Sequence, residues 1–154
     1  MSRRQAVALV VGIVAMLLAL GPPQWIRATG TEVTIAIEPV DPLSLFRGNY
    51  VDLRYSIEVP GGVDGLHGES VYVVFADERP ARALSVSDDR SSPGDGEFCL
   101  RGRYSGGGVA LPHLEQFYVT PEKGRELEEN LRGYLAVVKV TDSCKSILVD
   151  LEAR

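Results

Sequence analysis

Apolar and polar residues alternate through most of this chain. Val51, Leu53, Tyr55 and Ile57 fall on one side of an extended segment with Asp52, Arg54 and Ser56 on the other, the period-2 pattern of a half-buried strand. Thr31–Glu38 repeats it, with Val33, Ile35 and Ile37 facing one way and Thr34, Ala36 and Glu38 the other. Val71–Ala76 is apolar on both faces, which predicts a central strand, and Ala81–Val86 can return beside it through Asp77-Glu78-Arg79-Pro80. Glu97–Tyr104 sets Phe98, Leu100 and Tyr104 against Cys99, Arg101 and Arg103. Tyr134–Thr141 and Ser146–Leu151, joined by Asp142-Ser143-Cys144-Lys145, predict a closing hairpin. The pattern implies a mainly β domain of about eight short strands, a β-sandwich or a partly open barrel, since closure protects strand edges.

The breaks between strands are chemically explicit. Pro39-Val40-Asp41-Pro42 makes a corner, Arg47-Gly48-Asn49 a turn, and Pro60 to Ser70 a glycine-rich loop. Ser87–Gly96 is a polar loop, and Ser105-Gly106-Gly107-Gly108 turns the chain. One short soluble helix is predicted after Thr120. That threonine is a suitable N-cap, Pro121 fits the first helical position, Glu122 favours the positive end of the dipole, and Gly133 suits the stop. Leu127 and Leu131 share a face, and Glu128 can reach Arg132.

The N-terminus follows a different rule. After Arg3 and Arg4, the fifteen residues Ala6–Leu20 are uncharged, followed by Gly-Pro-Pro-Gln-Trp-Ile and Arg27. Fifteen helical residues cover roughly 22 Å against a bilayer core of about 30 Å, and extension to Trp25 and Ile26 removes the deficit. A buried core helix fits worst, because the run is apolar all round and helix-breaking prolines follow it. A cleaved signal peptide fits less well than an uncleaved anchor: the best cleavage candidate, Ala19-Leu20-Gly21, would leave Pro22 immediately after the cut. The expectation is a single-pass cell-membrane protein. Residues 1–27 form the anchor with a short cytoplasmic tail, and residues 28–154 form an extracytoplasmic β-rich domain, oriented by the positive-inside bias.

Charge and composition then narrow the function. In a chain of 154 residues, 45% hydrophobic content supports one modest core. The net charge is −5, and beyond Arg27 the chain holds 13 basic against 21 acidic residues, so nucleic acid is excluded as a partner. Two histidines and two distant cysteines lack zinc-site spacing, and Asp88, Asp89 and Asp95 lack the order of a calcium loop, so no metal and no cofactor is expected. The glycine run at 105–108 lacks the Lys-Ser/Thr ending of a phosphate loop. No nucleophile elbow is present, pairing Ser44 or Ser70 with His67 or His113 would be arbitrary, and the three lysines (Lys123, Lys139, Lys145) lie late in the chain. No catalytic residue is therefore assigned.

Two further features carry alternatives. Cys99 and Cys144 are candidates for a disulfide closing about 45 residues, on the order of 4 kcal/mol in the chain-entropy model; the competing reading is two separate thiols. Arg101 and Arg103, with Asp52 and Arg54 as candidate neighbours, read as an anionic-ligand surface or, preferably, a solvated face with cross-strand ion pairs.

The segment Arg47-Gly48-Asn49-Tyr50-Val51-Asp52-Leu53-Arg54-Tyr55 resembles the signature of the bacterial GDYxxLxY family. Gly48, Tyr50, Leu53 and Tyr55 match, and Asn49 stands where the family has Asp. Glu115-Gln116-Phe117-Tyr118-Val119 and the Glu-rich helix after it are also similar to the family, so the resemblance runs from the anchor to about Val140. It implies a membrane-anchored protein, sometimes encoded near multi-span membrane proteins, without established catalytic residues. Gly48, Asn49, Tyr50, Leu53 and Tyr55 are expected to be structural, with Arg47, Glu115 and Gln116 as candidate surface or partner positions. The resulting expectation is a structural or interaction protein set in the lipid bilayer and supporting a multi-span membrane partner. The alternatives are a small envelope hydrolase and a ligand-binding barrel.

Overall fold

The computed structural model describes residues 2–38, 50–55, 57–59, 70–90, 92–105, 108–130 and 133–154. The turn at Arg47, Gly48 and Asn49, together with Ser44, His67 and Leu131, lies outside the described residues. Helix α1 spans Arg3–Thr29 and starts on a capping box, in which the Ser2 hydroxyl accepts from the Gln5 amide and the Gln5 side chain accepts from the Ser2 amide. It runs on through Pro22 and Pro23 and past Trp25 and Ile26, to which the sequence extends the span. The prolines remove two amide donors, but their fixed φ is helical, and the last turn closes behind them. Gly30 donates its N–H to the Ile26 carbonyl at 2.8 Å, and the Thr29 hydroxyl donates to the Trp25 carbonyl at 2.9 Å. The 27 residues give about 40 Å of helix, long and apolar enough to cross a membrane.

Only Gly30 separates α1 from strand β1, Thr31–Glu38. A Cβ at Gly30 would sit 2.6 Å from the Ile26 carbonyl and 3.1 Å from backbone atoms of Val140, so the junction requires glycine. From there the predicted alternation is obeyed, with Val33, Ile35 and Ile37 buried. β1 pairs antiparallel with β9 (Tyr134–Val140), which pairs in turn with β10 (Ser146–Ala153).

Facing this sheet is a second, ordered β5-β4-β6-β7 and built from β4 (Val71–Ala76), β5 (Arg82–Ser87), β6 (Glu97–Ser105) and β7 (Gly108–Ala110). β4 is central between β5 and β6, as its doubly apolar sequence predicts. Val71, Val73, Phe75, Phe98 and Leu100 join β1 and β9 residues in one core, where Phe75 and Phe98 stack with centroids 5.2 Å apart. Gly102 allows β7 to close on β6: a Cβ there would lie 2.6 Å from Val109 Cγ1. The other face of this sheet buries Val74 and Cys99 against Cys144.

One predicted element is divided. Instead of a single strand through Ile57, the structure has β2 (Tyr50–Asp52) and β3 (Arg54–Tyr55), broken at Leu53. β2 pairs with β8 (Gln116–Tyr118), whereas β3 pairs with the end of β1. Val51, Leu53 and Tyr55 are all buried as the alternation requires; the division follows from two different pairing partners, which the alternation does not encode. The described residues therefore hold ten strands rather than about eight. Helix α2 spans Pro121–Asn130; the Thr120 hydroxyl accepts from the Lys123 amide at 3.4 Å, and Leu127 is buried.

Candidate functional site

The two sequence segments that carry the family resemblance meet in space. In the β2–β8 ladder Tyr50 faces Tyr118, Val51 faces Phe117 and Asp52 faces Gln116, and the Tyr50 and Tyr118 rings meet edge to face at 6.1 Å. At the break the Leu53 amide donates to the Glu115 carbonyl at 2.7 Å, and the buried Tyr55 hydroxyl donates to the Leu114 carbonyl at 2.6 Å. Burial, followed by the nearby Glu115 carboxylate, pushes the Tyr55 phenol well above its ordinary range, so it stays a neutral donor. Glu38, Asp52, Arg54 and Glu115 rim the cavity at this corner, about 770 Å³ in volume.

The carbonyl held by Tyr55 belongs to a 3₁₀ turn, Pro112–Leu114. Leu111 and Leu114 are fully buried and the Leu114 amide closes the turn on the Leu111 carbonyl, which leaves His113 on its outer side. His113 Nε2 lies 2.7 Å from the Ser146 hydroxyl, at the start of β10. Thus one five-residue stretch, Leu111–Glu115, walls two cavities, the motif corner on one side and a basic pocket on the other.

The basic pocket is about 410 Å³ and is lined by Ser70, Arg101, Arg103, His113, Lys145 and Ser146, with Ile26 from the last turns of α1. Arg101 donates to the Ser70 hydroxyl at 3.0 Å, so its neighbour is not Asp52 or Arg54, which line the other cavity. The Cys99–Cys144 disulfide, with Cα atoms 4.8 Å apart, lies beneath the pocket, and the Arg101 amide donates to the Cys144 carbonyl at 3.2 Å. The bond pins the β9–β10 turn over the outer face of β6, and with it Lys145. His113 is held below the usual histidine value, first by desolvation of its ring and then by the Arg101 guanidinium.

This His113–Ser146 pair escaped sequence reasoning. Thirty-three positions separate the two residues, and no spacing rule joins a turn histidine to the first residue of a distant strand. Among the described residues no cluster of His, Cys, Asp or Glu suits a metal ion. Glu115 and Gln116 sit in the turn and ladder at the motif corner, with Gln116 exposed and Glu115 half-buried. A separate surface group ties α2 to β9: Tyr134 donates to Glu126, and Lys123 donates to both.

An apolar helix leading through a single glycine into a β domain of two four-stranded sheets and a two-stranded ladder, its corner locked by Leu53 and Tyr55, defines a class of β-rich protein with a candidate membrane span. The chain belongs to the GDYXXLXY protein family, whose model matches residues 12–151. No curated protein and no solved structure matches it.

Proposed function

We propose that this protein is a membrane-anchored domain outside the cytoplasm, with a structural or interaction role in support of a multi-span membrane partner. The observation that carries the reading is the bare surface of α1. Val7, Leu9, Val10, Val11, Ile13, Val14, Met16 and Leu17 are exposed around the helix, and no part of its apolar window is buried by the body. Such a surface is covered by lipid or by other spans. Arg3 and Arg4 at its start favour a cytoplasmic N-terminus, and a disulfide in the body suits an oxidising compartment. The test replaces residues 3–29 with an unrelated span. Co-purification of a multi-span protein with the native chain but not with the replacement supports the reading. Equal recovery with both chains, or none with either, overturns it.

The 2.7 Å contact between His113 and Ser146 favours a second reading, a small hydrolase with Ser146 as nucleophile and His113 as base. Its electrostatics run the wrong way. A base of this kind is backed by a carboxylate that stabilises the imidazolium, whereas Arg101 disfavours it. Labelling of Ser146 by a fluorophosphonate, lost in His113→Gln, would put the hydrolase first.

A further inference from the structure

We propose that the pocket between the end of α1 and the β9–β10 turn binds a phosphate-bearing anion, presented by the headgroup of a lipid packed beside the helix. Three basic side chains, Arg101, Arg103 and Lys145, line it in a body that is otherwise strongly acidic, and no described carboxylate lines it. Among the described residues, none of the four salt bridges takes up any of these three cations. Hydroxyls from Ser70 and Ser146 and the His113 ring supply neutral hydrogen-bond partners for phosphate oxygens, and the volume suits a small ligand.

The backbone that carries these cations, and the Arg101 side chain itself, are held in place before any ligand arrives. The disulfide and the Arg101 amide bond to the Cys144 carbonyl fix the two walls, and Ser70 orients the Arg101 guanidinium. Holding like charges together without a counter-charge costs free energy that a bound anion relieves. The proton affinity of His113 is lowered first by desolvation of its ring, and the Arg101 guanidinium adds to it in the same sense. The lipid source follows from position: Ile26 is a lining residue and Arg27 follows it, so the opening lies at the level where α1 leaves the bilayer. This source rests on reading α1 as a membrane span, whereas the anion site itself does not.

The test uses the full chain in nanodiscs of equimolar phosphatidylglycerol and phosphatidylcholine, with bound lipid read by native mass spectrometry after gentle release. The native chain is expected to retain phosphatidylglycerol selectively. The R101Q/K145Q variant is expected to lose that retention roughly tenfold or more, the scale of removing two membrane-proximal cations. Arg82→Gln, an exposed cation at a distance from the pocket, is expected to behave as the native chain. Equal retention by R101Q/K145Q, with its disulfide formed and its melting unchanged, overturns the proposal. In a second arm, inorganic phosphate is titrated against the His113 resonance in phosphatidylcholine discs. A shift there without selective lipid retention supports the anion site and overturns its lipid source; the absence of both retention and shift overturns the site. A chain that fails to enter the discs refutes the anchor reading instead, and the phosphate titration then decides the pocket in detergent-free solution.

Discussion

The motif corner and the basic pocket share the wall Leu111–Glu115 yet are built in opposite ways. At the motif corner the signature residues Leu53 and Tyr55 are buried, and their polar atoms are consumed by the Glu115 and Leu114 carbonyls. In the basic pocket the exposed groups Arg101, Arg103 and Lys145 come from β6 and a turn, outside the signature. Leu53 and Tyr55 therefore position a wall, while the groups able to meet a ligand stand behind it. A signature of this kind reports which corner must be rigid and leaves the chemistry of the pocket to other residues.

Four perturbations test that division. Removing the disulfide with a Cys99→Ala, Cys144→Ala double substitution should cost about 4 kcal/mol in denaturant unfolding, from the loop closure it ends. It should release the Lys145 side of the basic pocket while the Tyr50–Tyr118 contact persists. Leu53→Ala empties a fully buried position and should cost about 3 kcal/mol by the same measurement. Should the basic pocket keep its geometry in that variant, the shared-wall account fails.

Tyr55→Phe removes one buried donor and leaves the Leu114 carbonyl without it, for a loss of about 2 kcal/mol. The more informative readout is the His113 ring resonance, which should move although Tyr55 lines the other cavity and bonds only the Leu114 carbonyl beside it. An unmoved resonance would separate the two cavities. The smallest effect is that of pH. Because the folded His113 value lies below the ordinary 6.5, the unfolded chain takes up its proton first as pH falls. Stability should decline as pH drops from 6.5 toward the folded value and level off below it. Arg101, Arg103 and Lys145 are the charged groups lining the pocket with His113, and His113→Gln should remove the slope.

Much of this fold is legible in the sequence because burial writes a periodic pattern. The strands β1, β4, β6, β9 and β10 and the start of α2 at Thr120 follow from alternation and capping. The division of β2 from β3 does not, since alternation survives the break at Leu53 and only the remote partners, β8 and β1, differ. The passage of α1 through Pro22 and Pro23 follows from the length a span requires, and the final turn closes through Gly30 and Thr29. The candidate site was the least legible part. Arg101 and Arg103 are visible as a cationic face, but their true neighbours, Ser70, His113 and Lys145, come from three other stretches of chain. Cys99 and Cys144 are visible as a pair, though only their 4.8 Å Cα separation makes them one bond.

The single residue between α1 and β1 has a mechanical consequence. The Gly30 amide closes the last turn of α1 on the Ile26 carbonyl, and a side chain at this position would meet the Val140 backbone. A roll or tilt of the helix is therefore passed to β1 and its neighbour β9 with a single residue between.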